Sequence, residues 1–423
     1  MGVRLNAIQC GGNKVKKTYQ FLLFQNYFSM GLLIPIISLL LINRGASLAQ
    51  LAIIFGISAF TVFILEVPSG MLADMIGRKL VFMFSGILYL ISSITMLFVS
   101  GFALLIPAIV FWGAGRAFAS GSLDALIIDE YINQNGTDKI SKITSRLGIL
   151  EIAGLSFGAI IGGSLPTLSA GVLPNLGTYN LNLIIHAVLC AVSVLLTILY
   201  VKETSSHEKS SNGLKQHALS LFRFIKQDKI VLLLVISQLF SGFFISIIET
   251  YWQPVYVNLI QGTNLLWTLG FISFGCFLFA ALGNIIYKRM CLSKQINLSS
   301  KYTISRLLLF AALIIFSLQN SPIGFGLFFF LLYLTFGGSN IIASTMLNIQ
   351  IPNKMRSSML SFASLAFMSG GMLSPVFSSI LITKYSAQKL WFIIGIALVA
   401  VTFLIGIALH KTYKKSNTHV LNT

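Results

Sequence analysis

Charged residues are scarce in this sequence of 423 residues. Only 9% are Asp, Glu, Lys or Arg, whereas 56% are hydrophobic and the mean hydropathy is +0.87. A soluble chain carries about 25% charged residues to keep its surface hydrated. The shortage excludes a soluble globular protein and indicates that most of the surface faces lipid.

Cysteine and the common cofactor motifs are also sparse. The four cysteines show no C-x-x-C spacing, no G-x-x-x-x-G-K-[ST] motif is present, and no metal-ligand or nucleophile constellation occurs. We therefore expect no cofactor, no bound metal and no enzymatic activity, and we expect an energy source other than ATP hydrolysis.

Long uncharged runs divide the chain into membrane-spanning lengths. A helix needs about 20 apolar residues to cross a bilayer, and backbone groups in lipid must pair internally, which favours helices. The runs 250–287 and 307–353 contain no Asp, Glu, Lys or Arg. We predict an all-α membrane protein with twelve transmembrane helices, at 19–42, 48–72, 80–98, 103–131, 146–166, 180–201, 230–257, 265–287, 302–319, 323–350, 357–383 and 388–410.

The net charge of +18 comes from basic residues that collect on one side of the predicted membrane. Of the 29 Lys and Arg residues, 24 fall in the tails and loops on the side of the N-terminus, and only Arg44, Lys384 and Lys389 fall on the other side. The remaining two, Arg116 and Arg306, lie within spans. This bias predicts an inner-membrane protein with both termini in the cytoplasm. Because no soluble basic domain is present, we expect no nucleic acid as a partner.

One polar segment, 203–229, divides the chain nearly in half. One helical face carries Leu214, Ala218, Leu221, Phe222 and Ile225. This pattern predicts an amphipathic helix at the inner leaflet; an irregular linker is the alternative. We assign these regions: a cytoplasmic tail (1–18), a six-helix half (19–202), the linker (203–229), a second six-helix half (230–410) and a cytoplasmic tail (411–423).

The two halves repeat each other weakly. The pattern of small residues that starts at Gly154 in the fifth span recurs at Gly370 in the eleventh, 216 residues later. The pattern that starts at Gly70 recurs at Gly283, 213 residues later. Nearly equal offsets indicate duplication, which is expected of a transporter whose two halves alternate access to a central cavity.

The sharpest motif follows the second span and reads Glu66-Val-Pro-Ser-Gly70-Met-Leu-Ala-Asp74-Met-Ile-Gly77-Arg78-Lys. Gly70 would let a neighbouring helix approach, and Gly77 would permit a tight turn across which Asp74 and Arg78 can pair. The motif resembles the major facilitator signature G-x-x-x-D-[RK]-x-G-[RK]-[RK], with methionine in place of one basic residue. The resemblance implies the twelve-helix fold of that superfamily, with two pseudo-symmetric six-helix halves.

The same resemblance implies a role for the charges of this motif. Asp74 and Arg78 would form an inner-gate charge relay with Asp129, which stabilises the outward-facing state. A plain turn that only helps to set the topology is the alternative.

The fourth predicted span carries Arg116 near its middle and Asp124 further along. A charge at that depth is costly unless it faces water, an acid or substrate. Many family members have an arginine here, in R-x-x-x-G, although Gly121 is one residue further on in this chain; the resemblance implies proton coupling. A structural bond from Arg116 to a backbone carbonyl is the alternative. We expect Asp124 to meet solvent or protons.

The glycines of the fifth span, Gly154, Gly158, Gly162 and Gly163, resemble the antiporter signature G-x-x-x-G-P-x-x-G-G. Ala159 stands in place of its proline. The resemblance implies antiport, whereas the spacing alone is equally typical of close helix packing.

Three further carboxylates lie within the predicted spans. Glu66 and Glu151 lie near the cytoplasmic ends of their spans, where they would be proton sites or parts of a gate. Glu249 stands in the run Glu249-Thr-Tyr-Trp252-Gln-Pro. An acid beside aromatic rings suits an organic cation or a titrating proton; an interfacial aromatic belt with a solvated acid is the alternative.

The first span contributes two polar candidates, Gln25 and Asn26, which either line the cavity or join helices. With all of these residues we predict a monomeric, proton-coupled secondary transporter in a lipid bilayer that exports a small drug-like or metabolite molecule. The alternatives are an uptake symporter or an organic-anion carrier that uses Arg116, and a membrane receptor or assembly factor that does not transport.

Overall fold

The computed structural model describes residues 17–136, 140–172, 176–202, 228–261, 265–292, 297–351 and 356–420. Within these ranges the regular structure is helical, with no β-strand. The α-helices are α1 (Lys17–Leu33), α2 (Ile37–Asn43), α3 (Leu48–Ile76), α4 (Arg78–Phe98), α5 (Phe102–Ala119), α6 (Leu123–Asn135), α7 (Ile140–Val172), α8 (Asn180–Tyr200), α9 (Lys229–Ile260), α10 (Thr268–Leu292), α11 (Leu298–Ser317), α12 (Pro322–Gln350), α13 (Arg356–Leu381) and α14 (Ala387–Val420).

These helices confirm the predicted all-α membrane architecture. In the described part of the chain, eleven stretches are long and apolar enough to cross a membrane, and the bent pair of α1 and α2 supplies a twelfth span. The predicted amphipathic helix of the linker falls almost entirely at 203–227, outside the described residues, as does most of the predicted N-terminal tail.

The first span is not the continuous helix that we predicted at 19–42. It bends by 49° between α1 and α2. Pro35 lies in the break, where it offers no backbone N–H and its ring disfavours a straight helix. The bend therefore has a cause in the sequence that the hydrophobic pattern does not reveal.

The fourth predicted span, 103–131, is also interrupted. Residues 120–122 separate α5 from α6, although Phe102–Ile132 still forms one apolar crossing. Gly121 has φ of +67° there, in the left-handed region that glycine adopts at little cost. Arg116 therefore lies in the last turn of α5 and not in the middle of a helix.

The last helix extends beyond its predicted end. α14 runs to Val420, so most of the predicted tail 411–423 is helical. No proline or glycine occurs between 411 and 420, and nothing in that sequence stops the helix.

Twelve spans that alternate in direction place both chain ends on one face, which we call the terminal face; the other is the opposite face. We call α1–α8 the first half and α9–α14 the second half. α1 packs on α7 and α9 on α13 as corresponding pairs, while α3 packs on α13 and α7 on α10 between the halves. The site residues lie along these pairs.

Candidate functional site

The turn between α3 and α4, at the terminal face, brings together two of the three residues of the predicted charge relay. Gly77 forms the turn with φ of +101°, and Arg78 begins α4. Arg78 Nη1 lies 2.5 Å from Oδ2 of Asp129 in α6. The side chain of Asp74 lies outside the described residues. At Gly70 our expectation of a closely approaching helix is wrong, because an added Cβ would meet no atom within 4 Å.

Two acids and a phenol from three helices form what we call the carboxylate cluster. Asp124 lies in the first turn of α6, where a helix N-terminus favours negative charge. Tyr27 Oη of α1 donates to Asp124 Oδ2 at 3.4 Å. Glu151 of α7 interacts electrostatically with both Asp124 and Tyr27. The sequence offered the two acids as separate candidates and did not identify the phenol.

The other acid near the break between α5 and α6 serves to link helices. Ser120 Oγ donates to Glu66 Oε1 at 2.8 Å, and Ser69 Oγ donates to the Ala117 carbonyl at 3.0 Å. Both bonds join α3 to the end of α5. Glu66 therefore supports the break from outside the carboxylate cluster.

Arg116 stands apart from these acids. Its side chain is exposed, and within the described ranges it forms neither an ion pair nor a hydrogen bond. The structural bond to a backbone carbonyl that we considered is not formed there. Tyr89 of α4 lies close enough to interact with it electrostatically. The guanidinium is thus available to an anionic group.

Glu249 of α9 lies among aromatic side chains of the second half. Tyr333 Oη of α12 donates to its carboxylate, and the Trp252 side chain also hydrogen-bonds to it. The Trp252 ring lies 5.4 Å from that of Phe329, centroid to centroid, and is only 2% exposed. Trp252 therefore belongs to the core of the second half and not to an interfacial belt.

The two polar candidates of the first span differ in their surroundings. Gln25 is buried, and its Nε2 donates to the Leu189 carbonyl of α8 at 2.8 Å. This bond joins two helices and does not line a cavity. Asn26 is partly exposed, and its carbonyl accepts from Ser29 Oγ at 2.8 Å.

The glycines of α7 provide close packing. A Cβ added at Gly154, Gly158 or Gly162 would collide with backbone carbonyls of α1. A Cβ added at Gly163 would collide with the backbone of Gly270 in α10, which belongs to the other half. The motif that resembles an antiporter signature therefore makes backbone-to-backbone contacts on two sides of one helix.

A set of hydrogen bonds between the halves at the opposite face was not foreseen. Gln253 Nε2 of α9 donates to the Ile34 carbonyl at 2.6 Å, and Gln253 Oε1 accepts from the Ser38 N–H at 2.8 Å. Ser38 Oγ donates to the Thr250 carbonyl at 3.0 Å. A proline next to each set of partners, Pro35 in the first span and a second in α9, is the sequence signal that could have found them.

Two further buried polar side chains were not identified as site residues. His186 of α8 is fully buried, and its Nδ1 lies 2.7 Å from Ser93 Oγ. Arg306 of α11 is 1% exposed, and its Nη2 donates to Asn340 Oδ1 at 3.3 Å. Both lie within their own half and join neighbouring helices.

Comparison with known proteins agrees with this geometry. A family model described as Major Facilitator Superfamily matches residues 21–300. The uncharacterized MFS-type transporter YxaM of Bacillus subtilis (strain 168) is 26% identical over 227 residues, which are 53% of this chain and 55% of that protein. The match therefore spans about half the length of this relative.

Solved structures share the fold over nearly the whole chain. The nucleoside transporter NupG aligns with a TM-score of 0.75 and 15% identity, over 94% of this chain and 100% of that one. A bacterial homolog of the human lysosomal transporter Spinster, in an inward-facing and unoccupied conformation, aligns with a TM-score of 0.73 and 12% identity, over 94% and 97%. At these identities the likeness is one of fold.

Proposed function

The chain belongs to the Major Facilitator Superfamily and is a multi-pass membrane transporter of that type, and from this premise we propose that it exports a small drug-like or metabolite molecule in exchange for protons. Such a secondary transporter would work by alternating access between its two halves. The observation that carries the proposal is the carboxylate cluster of Asp124, Glu151 and Tyr27.

The cluster has the chemistry of a proton site. Carboxylates inside a membrane are costly, and they mark ion and proton pathways. Two carboxylates that lie close together in a poorly hydrated site share a proton, because both cannot remain ionised there at low cost. Tyr27 donates to Asp124 and so stabilises its ionised form after the proton leaves. A change in hydration as the halves move would load and unload this proton.

The side chains of the second half favour a cargo molecule with an aromatic or cationic part. Glu249 is surrounded by Tyr333 and Trp252, and aromatic faces beside an acid attract organic cations. The resemblance of the α7 glycines to an antiporter signature supports export.

Reconstituted vesicles with an imposed pH gradient test the proton site. We expect Asp124→Asn and Glu151→Gln to lose uphill transport and to keep exchange of cargo without a gradient, because the neutral mimics still fold but cannot cycle a proton. Glu130→Gln, elsewhere on α6, is the matched control. If both cluster variants retain full uphill transport, coupling through this cluster is wrong.

A second candidate is an organic-anion carrier, and the exposed, unpaired Arg116 favours it. A guanidinium recognises carboxylates and phosphates through paired hydrogen bonds. A panel of cationic and anionic compounds separates the two candidates. The second candidate would replace the first if the native protein carries anions but not cations, and if Arg116→Gln abolishes the transport of those anions.

We also propose that both termini and the 203–229 segment are cytoplasmic, which the distribution of basic residues supports. Single cysteines at Ser211 and Gly171, in a background without native cysteines, report this orientation. An impermeant thiol reagent applied to intact cells should label Gly171→Cys and leave Ser211→Cys unlabelled. The reverse result would invert the orientation.

A further inference from the structure

We propose that the Gln253 side chain replaces one backbone hydrogen bond of the first span in this conformation, and that the backbone bond re-forms when the halves separate on the opposite face. The bend of the first span would then report which face is open. The inference rests on the alternating access of the proposed function, but it concerns helix geometry and needs neither protons nor cargo.

The two backbone groups that Gln253 binds are normally each other's partners. In a continuous α-helix the N–H of Ser38 donates to the carbonyl of Ile34, four residues earlier. Here the Gln253 amide takes both, because its Nε2 donates to Ile34 O at 2.6 Å and its Oε1 accepts from Ser38 N at 2.8 Å. A carboxamide offers a donor and an acceptor side by side, which fits a split pair of this kind.

Proline opens the helix at this point but does not itself separate that pair. Pro35 lacks an N–H and so removes the bond to Gly31 O, three positions earlier in the pattern. Side chains that enter the backbone hydrogen-bond ladder are a known cause of sharp kinks. Pro35 therefore supplies the weak point, and the inserted amide accounts for the loss of the bond between Ser38 N–H and Ile34 O.

The second half has a matching defect, which the first half satisfies. Pro254 lies inside α9 and has no N–H for the Thr250 carbonyl. Ser38 Oγ, from the first span, donates to that carbonyl at 3.0 Å. Each half thus satisfies backbone groups of the other beside a proline: Ser38 binds the carbonyl that Pro254 leaves open, and Gln253 binds the split pair next to Pro35.

Burial makes this exchange depend on the conformation. Ser38, Gln253 and Thr250 are 0%, 1% and 3% exposed, so no water competes for these bonds while the halves meet. When the halves part, the Ser38 N–H and the Ile34 carbonyl can pair with each other again. Gln253 and Thr250 have no such replacement and must be hydrated, so opening of this face admits water to α9 and straightens the first span.

Pulsed spin-label distance measurements test the proposal in the full chain, with native cysteines replaced. Labels at Asn43 and Gln261 report separation of the halves on the opposite face. Labels at Asn43 and Gly171 report the bend, because α7 packs along α1, whereas α2 is bent by 49° from α1 and contacts α9 and α3. In the native protein, both distances should switch together between two populations.

Gln253→Leu should raise the ratio of separated to closed molecules about fivefold to thirtyfold, since it removes both amide bonds. The second distance should change in the same fraction of molecules. Ser38→Ala, which keeps the inserted amide, should shift the ratio less, and Asn258→Leu, an exposed amide on α9, should not shift it.

Two results overturn the proposal: halves that separate while the first span keeps its bend, or a bend that changes while the halves stay closed. If Gln253→Leu does not fold, the native protein alone decides, through the correlation of its two distances. If the two distances are correlated as expected but the native protein shows no proton-coupled transport, the result counts against the proposed function and not against this inference.

Discussion

The two halves share their helix packing and differ in what lies inside it. The first half carries Arg116, Asp124 and Glu151 on α5, α6 and α7, whereas the second half surrounds Glu249 with aromatic rings. That aromatic core includes Phe316, whose ring lies 4.9 Å from Phe329 and 5.1 Å from Trp391. The comparison teaches that the same helix packing can hold different sets of polar and aromatic side chains.

The shared scaffold shows in the corresponding helix pairs. Gly158 of α7 lies against the Phe28 carbonyl of α1, and Gly370 of α13 lies against the Leu239 carbonyl of α9. Both contacts lie between corresponding helix pairs of the two halves. Packing is therefore common to both, while the proton site and the cargo site that we propose lie in different halves.

The largest expected effect comes from disturbing this shared packing. Gly158→Ala and Gly370→Ala should each destabilise the protein by about 1–3 kcal/mol or more, because the added Cβ collides with a backbone carbonyl that cannot move away. Thermal unfolding in detergent measures the loss. Gly70→Ala, which meets no atom within 4 Å, is the control and should be neutral or slightly stabilising. Equal melting temperatures for all three variants would contradict the common scaffold.

The next effect separates the chemistry of the halves. Glu249→Gln should weaken cargo binding by about 10-fold to 100-fold, as expected when a charged hydrogen-bonding partner is lost, and should preserve the number of protons exchanged per cargo molecule. Asp124→Asn should do the reverse. Binding titrations and proton-flux measurements on the same vesicles check both. A change in the same quantity for both variants would remove the division between halves.

A smaller effect is expected from the phenols that bind these acids. Tyr333→Phe and Tyr27→Phe each remove one hydroxyl donor, worth about 1 kcal/mol, or roughly fivefold in an equilibrium. Tyr333→Phe should weaken cargo binding, and Tyr27→Phe should slow proton-driven transport while binding stays unchanged. The same assays apply, and a Tyr27→Phe variant with normal coupling would leave this phenol with a packing role only.

The smallest effect belongs to the ion pair of the first half. Arg78 and Asp129 are 25% and 54% exposed, and an exposed pair contributes about 1 kcal/mol or less. Asp129→Asn should therefore leave the melting temperature nearly unchanged. A large drop would show that this pair stabilises the fold and does not merely adjust the turn.

Much of the fold follows from the sequence, because hydrophobic length and the loop motif are local signals. The uncharged runs located the spans, and Gly77 located the turn between α3 and α4. The breaks were missed, since Pro35 and Gly121 leave the hydrophobic pattern intact. Partners were harder still: Gln253 and Ser38 are 215 residues apart and uncharged, and only the folded chain brings them together.

The candidate site residues show the same difference between local signals and long-range contacts. The acids were noticed because charge in lipid is rare, but their grouping depends on three helices meeting at Tyr27. Gly70 lacks the neighbouring helix that its motif predicted, and Gln25 joins helices, which is one of the two roles expected of it. Local chemistry therefore identifies candidates, and helix packing decides which of them act together.

The contact between Gly163 and Gly270 has a mechanical consequence. Here the two halves touch through bare backbone, without side chains that interlock. Surfaces of this kind can roll over each other without rotamer changes, and so with little friction. A pivot at this contact turns a small rotation of one half into opposite movements on its two sides, and the lack of a Cβ at both glycines leaves that pivot free to turn.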